Sequence, residues 1–189
     1  MLKGLRRRFK AEEDGVTAVE FALIAPVLMF FIMGICEMGL MAGAQNILDG
    51  AAFAASRAGK TGYVATSKTQ QQMITAAVTK IVGSYLNPSK IVVTSLSYSD
   101  FSNVGQPEPY TDTNKNGKRD AGESFIDVNG NGAWDSDQGK SGYGAAGEIV
   151  LYTLTYNWSL FTPMMSKLVG SGGIVPLKAR VVVRNEPYG

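Results

Sequence analysis

The sequence contains no histidine and a single cysteine in 189 residues. The missing histidine removes Ser-His and Cys-His nucleophile pairs, histidine-liganded zinc and the commonest general base. With one cysteine, Cys36, no intramolecular disulfide can form, and its place inside an apolar run predicts a small buried hydrophobe, not a reactive thiol. The expectation is a non-enzymatic protein without a small-molecule substrate. An excess of one charge is also missing once the chain is divided. Five of the eighteen basic residues (Lys3, Arg6, Arg7, Arg8, Lys10) and three of the sixteen acids (Glu12, Glu13, Asp14) precede Val16, leaving thirteen of each sign after it. A neutral remainder without a basic stripe argues against nucleic acid, whose phosphates demand clustered Lys and Arg. At 45% apolar content the chain has room for one modest domain beyond any membrane segment.

Residues Phe21 to Cys36 form an uncharged run of sixteen, and after Glu37 a second uncharged run extends from Met38 to Leu48. A helical span needs roughly 20 mostly apolar residues, which this stretch supplies at about 21–43, with Pro26 expected to bend it. The basic cluster before the run places the amino terminus in the cytoplasm. The expected organisation is a basic leader at 1–15, a helix at 16–60 and an exported domain at 61–189. Glu37, an acid within the span, is a functional candidate; alternatively it sits at the far interface. Gly39 and Gly43 are spaced as G-x-x-x-G and are read as a helix-helix contact with other subunits. The alanines from Ala51 to Ala58 are better read as seated against the domain's own sheet. Met29, Met33, Met38 and Met41 read as lipid-facing or packing residues.

Gly15 followed by Val16-Thr17-Ala18-Val19-Glu20-Phe21 at the mouth of the apolar run resembles a type IV prepilin processing site. The resemblance implies cleavage after Gly15 by a prepilin peptidase, leaving Val16 as the amino terminus of a chain of 174 residues and Glu20 at its fifth position. A carboxylate at the edge of an apolar helix is costly unless paired, and a neighbouring subunit's freed amino group would neutralise it. Alternatively Glu20 sits among headgroups, favoured by the helix macrodipole. The wording GVTAVEFALIAPVLMFFIMGICEMGLM is closer still, and resembles the opening of TadE-like pseudopilins of the tight-adherence (Tad) pilus, at Gly15, Ala18, Glu20, Phe21, Ala22, Pro26 and Glu37. That resemblance covers about residues 6–60. It implies a minor pilin of the bacterial inner membrane, single-pass with a periplasmic carboxy-terminal domain and also extracellular if it enters the pilus. Its implied partners are other pilins, the Tad assembly platform and the peptidase.

Beyond the span, helical pattern continues to about Arg57, with Gly59 and Gly62 as stop signals. A second helix is expected at Thr69–Leu86, with Met73, Ala77, Ile81 and Tyr85 as its apolar stripe. Alternating or β-branched runs at Ile91–Tyr98, Ile149–Trp158 and Leu177–Arg184 read as strands. Between the last two, Pro163 would open a short helix and Gly170 close it. Phe161, Met164, Met165 and Leu168 would cover the sheet edge or contact a subunit. A long helix on an antiparallel sheet is an α+β, pilin-like plan.

Inside this domain an insert at 106–140 carries two twelve-residue loops of calcium-binding form. In DTNKNGKRDAGE, Asp112, Asn114, Asn116, Lys118, Asp120 and Glu123 fall at positions 1, 3, 5, 7, 9 and 12, with Gly117 at 6. Alternating oxygens wrap a hard cation, the glycine permits the turn, and the final glutamate grips with both oxygens. A second copy follows fifteen residues on, with Asp127, Asn129, Asn131, Ala133 and Asp135 in register and Gly132 at 6, but Gln138 at 12. That departure makes one strong and one weaker site, unless Asp137 or Glu123 completes the second. Flanks without helical pattern resemble the loop-only repeats of dockerin-like and thrombospondin-type-3-like modules. Ca2+ is expected at the ~0.1–1 mM affinities of extracellular modules. Eight acids against four bases between Asp100 and Lys140 should leave the insert loose without it. Alternatively Asn116-Gly117 and Asn131-Gly132 are ordinary turns. A different class of protein also fits: a secreted or anchored calcium-binding adhesive module, with Ala42-Gly43-Ala44 as a signal-peptidase site.

Overall fold

The structure, a computed structural model, describes residues 14–62, 65, 67–83, 85–169 and 171–187. The basic leader residues Lys3 to Lys10 and the expected helix stop at Gly170 lie outside them. Among the described residues, besides three short 3-10 turns, the α-helices and strands follow in the order α1 (Asp14–Lys60), α2 (Gln70–Val82), β1 (Ile91–Tyr98), β2 (Lys140–Ser141), β3 (Ile149–Ser159), α3 (Pro163–Leu168) and β4 (Ile174–Arg184). The strands form one antiparallel sheet in the order β2-β1-β3-β4. β1 and β3 are in full register from Ile91 opposite Tyr156 to Tyr98 opposite Ile149. With the long apolar helix laid on this sheet, the arrangement is α+β and pilin-like.

The chain divides into two compact units, Met1–Ala42 with Trp158–Val175, and Gly43–Asn157 with Pro176–Gly189. In the second unit the core is built where the helical and strand periods agree. Ala44, Leu48, Ala51, Ala52 and Ala55 of α1 are buried at helical spacing. Val150, Tyr152 and Leu154 of β3, with Leu177 and Ala179 of β4, are buried at strand spacing. Small side chains on α1 let the helix lie close to the sheet, as expected for Ala51 to Ala58. At Gly59 a Cβ would overlap the Tyr152 hydroxyl. Gly59 therefore permits close approach and does not stop the helix, which ends one residue later. Gly62, at φ +59°, takes the left-handed conformation after the end.

α2 starts on a capping box: Thr69 Oγ1 accepts from the Gln72 backbone N–H at 3.2 Å, and Gln72 Oε1 accepts from the Thr69 N–H at 2.9 Å. It is shorter than expected, closing at Gly83, because Asn87 and Pro88 start a separate helical turn. Its buried stripe is Ile74, Val78 and Val82, while Ile81 and Tyr85 are exposed. Both stripes have i, i+4 spacing, and the roll of α2 within the unit selects the β-branched one. β4 matches its alternation, with Leu177 and Ala179 in and Lys178, Arg180 and Arg184 out. The two-residue β2 has no pattern to announce it; its place comes from pairing with Leu96 and Ser97.

Candidate functional site

From Val16 to Leu40 the surface of α1 is almost wholly exposed, Glu20 and Phe21 included, and its most apolar stretch is long enough to cross a bilayer with none of it buried within the protein. Met29, Met33 and Met38 are exposed there, as a lipid-facing reading requires. Cys36 is exposed too, which corrects the expectation of a buried hydrophobe: the hollow it lines with Phe161 and Thr162 leaves its side chain uncovered. Gly39 and Gly43 are exposed, and nothing lies within 4 Å of a Cβ at either, so neither is needed for packing inside the chain.

Glu37 is the exception on this surface, being buried. Its carboxylate oxygens accept from the backbone N–H groups of Phe161 at 2.8 Å and Thr162 at 2.9 Å. These donors belong to the N-cap residue Thr162 and the residue before it, immediately ahead of α3, and Thr162 makes no side-chain cap of its own. An acid 124 residues earlier thus fixes the backbone that enters the short helix. Such charge-assisted bonds are roughly twice as strong as neutral ones.

The two loops of the insert have the same internal wiring. In the first, Asp112 Oδ1 and Oδ2 accept from the N–H groups of Asn116 (3.1 Å) and Gly117 (2.8 Å). Asn114 Oδ1 accepts from the Asn116 N–H (3.1 Å) and Asn116 Oδ1 from that of Lys118 (2.8 Å). Both amides donate to Asp120 Oδ2 at 2.7 Å. Glu123 closes the ring, Oε1 accepting from Thr113 N at position 2 (2.8 Å) and Oε2 from Asp120 N at position 9 (2.9 Å). In the second loop, Asp127 accepts from Asn131 (3.1 Å) and Gly132 (2.8 Å), Asn129 from Asn131 (3.0 Å) and Asn131 from Ala133 (2.7 Å). Asp135 Oδ2 accepts from both amides, at 2.8 and 2.6 Å. Gly117 and Gly132 both have positive φ, +75° and +81°, so position 6 of each loop demands glycine.

The closing group of the second loop is one that sequence reasoning missed. Gln138 turns away to pair with Gln106 and Asn103, Glu123 is held in its own loop, and Asp137 accepts the Tyr98 hydroxyl at 2.9 and 3.1 Å. None completes the loop. Glu108 does, from the other side in sequence: Oε1 accepts from Val128 N at position 2 (2.8 Å) and Oε2 from Asp135 N at position 9 (3.1 Å). These are the same two positions that Glu123 bridges in the first loop. Glu108 is 0% exposed, and its main chain is held by the same loop, with its N–H donating to Asp135 O at 3.0 Å and its C=O accepting from Trp134 Nε1 at 2.9 Å. No spacing rule points backwards to it, so the sequence carried no usable signal.

Each loop therefore offers three carboxylates, two asparagine oxygens and one main-chain carbonyl, a hard-oxygen set of the kind Ca2+ takes. The asparagine Oδ1 atoms accept one N–H each and keep a second lone pair. Among the described residues no three acidic, histidine or cysteine side chains converge into a metal-holding group on their own. The three acids of each loop are instead bonded to main-chain N–H groups and to the asparagine amides. Arg119 spans the seam between them, its guanidinium 5.1 Å from the Phe125 ring and 5.6 Å from that of Trp134. A bridge pairing Tyr110 with Phe125 makes the flanks a short ribbon and not helices, as expected.

A membrane-length helix with an antiparallel sheet is an α+β, pilin-like arrangement. A family model described as TadE-like protein matches residues 15–57, which is α1 without its two ends and less than a quarter of the chain. The match supports a TadE-like protein, a structural and not a catalytic kind. No curated protein and no solved structure matches the chain.

Proposed function

We propose that this chain is a minor pilin acting in the assembly or priming of a Tad-type pilus, and so in adhesion and surface attachment, with an exported domain stiffened by calcium. The observation that carries the reading is the TadE-like match over the one helix that, among the described residues, is long and apolar enough to cross a membrane and whose most apolar stretch is not buried. In this reading α1 crosses the inner membrane with its amino terminus in the cytoplasm and the domain in the periplasm. Prepilin peptidase cuts between Gly15 and Val16, and Glu20, Phe21, Gly39 and Gly43 face other pilins and the assembly platform. Calcium would be held in the first loop by Asp112, Asn114, Asn116, Lys118, Asp120 and Glu123. In the second it would be held by Asp127, Asn129, Asn131, Ala133 and Asp135 with Glu108, so the second site has a closing carboxylate after all. The bound ion would neutralise the acids and tie each loop into one rigid turn.

The test is the amino-terminal residue of the protein taken from its native envelope, read by mass spectrometry. A terminus at Val16 is the expected result. A start at Gln45 would replace the pilin reading by a secreted calcium module, although a cut there falls inside an unbroken helix beside the buried Ala44.

A further inference from the structure

The uncharged run of α1 is too short for the bilayer it is proposed to cross. Sixteen residues from Phe21 to Cys36 rise about 24 Å at ~1.5 Å each, against a hydrocarbon layer of about 30 Å. A layer that starts at Phe21 reaches roughly Met41 and includes Glu37, the one of the two acids flanking the run that is buried. That is tolerable only because the Glu37 carboxylate is buried and bonded to Phe161 and Thr162. Those partners belong to the segment between β3 and β4, which lies beside the same level of α1. Phe161 and Thr162 line an apolar hollow of about 180 Å³ with Met33, Cys36 and Leu40, and Met165 Sδ comes to 4.0 Å from a Cβ at Gly34.

The outer face of this segment is apolar and unpartnered. Phe161 is 71% exposed, Met164 58% and Val169 48%, and the Phe161 ring meets Trp158 edge-on at 5.5 Å. In an aqueous setting such a run would be a liability. Beside a helix face that is itself exposed, apolar and long enough to span, it continues one surface.

We propose that the segment 158–175 is a second membrane element: it lies in the interfacial zone of the leaflet at the carboxy-terminal end of the span, with Phe161, Met164 and Val169 among the lipids. Glu37 is the buried peg that fixes it to the helix. Its aromatic pair sits where aromatic belts form, and Lys167 reaches for the headgroups. An element of this kind buries its apolar face about 5–10 Å into the headgroup and acyl boundary. The proposal rests on α1 spanning the membrane.

The experiment uses the full chain in phosphatidylethanolamine and phosphatidylglycerol vesicles, in a Cys36→Ser background. One environment-sensitive fluorophore is placed by Met164→Cys, Val27→Cys or Ser136→Cys, with Val169→Cys as a second probe of the segment. Lipids carrying a shallow or a deep nitroxide, and aqueous iodide, serve as quenchers. The expected result is loss of the Val27 signal to the deep nitroxide, of the Met164 and Val169 signals to the shallow one, and of the Ser136 signal to iodide. Met164 and Val169 open to iodide but not to lipid would overturn the proposal while leaving the span intact. Shielding of both from every quencher would overturn it too, in favour of a protein covering the patch. An unquenched Val27 would remove the span itself, and this proposal with it.

Discussion

At the scale of single residues, two positions hold the second unit together by chemistry that composition conceals. Gly59 lies under the Tyr152 ring, where even one methyl group would overlap the hydroxyl. Gly59→Ala is expected to lower stability by about 1–3 kcal/mol despite alanine's better helix propensity, because overpacking outweighs the propensity gain of about 1 kcal/mol. Urea unfolding of the two proteins measures the sign. Tyr98 gives a pH dependence. Burial first, then its bond to the Asp137 carboxylate, pushes the phenol up to about 12 from an ordinary 10. Between these values the folded state holds a proton that the unfolded state has lost. Stability is therefore level below about pH 10 and falls as pH rises towards about 12. Tyr98→Phe should flatten that decline when unfolding is followed from pH 9.5 upward, leaving the smaller part due to Tyr143, which burial also raises. Glu108 belongs at this scale too. Its identity was plain, but its role was not, since it acts on a loop that begins nineteen residues later.

At the scale of elements, the loops, α2 and the strands were legible to different depths. Both loops stood out because position 1, 3, 5, 6 and 9 residues are chosen by local geometry, and the wiring of each ring is nearly all within the ring. The ends of α2 were less so. Its start is a local motif, but its stop and the choice of buried stripe depend on what it packs against. The loops supply a sharp test, because their closing glutamates come from opposite directions in sequence. Calorimetric titration of the native protein is expected to find two calcium sites. Glu123→Gln should weaken the first alone and Glu108→Gln the second alone, each by at least about tenfold for loss of a bidentate oxygen pair. Trp134, whose indole donates to the Glu108 carbonyl, should report the second site in its emission. Two undiminished sites in Glu108→Gln would remove its assignment as a ligand and leave it a structural clamp.

At the scale of the whole molecule, calcium bound as proposed, to the folded insert and not to the unfolded chain, would add to stability by mass action. At about 1 mM free calcium and affinities of ~0.1–1 mM, each proposed site would contribute about 0.4–1.4 kcal/mol. Chelation is therefore expected to lower the thermal transition by a few degrees and to expose 106–140 to protease before the rest. An unchanged transition and unchanged cleavage would end the structural role of calcium. The sequence alone determined the apolar helix, its candidate processing site, the three long strands and the two loop frames, because each is written in a local period or a short fixed spacing. Tertiary structure decided the stripe of α2 that is buried, the contact that makes Gly59 necessary, and the two-residue β2. It also decided the partners of Glu37 and Glu108. Both carboxylates answer main-chain N–H groups far along the chain, and a bond to the backbone leaves no trace in the identity of the residue that donates it.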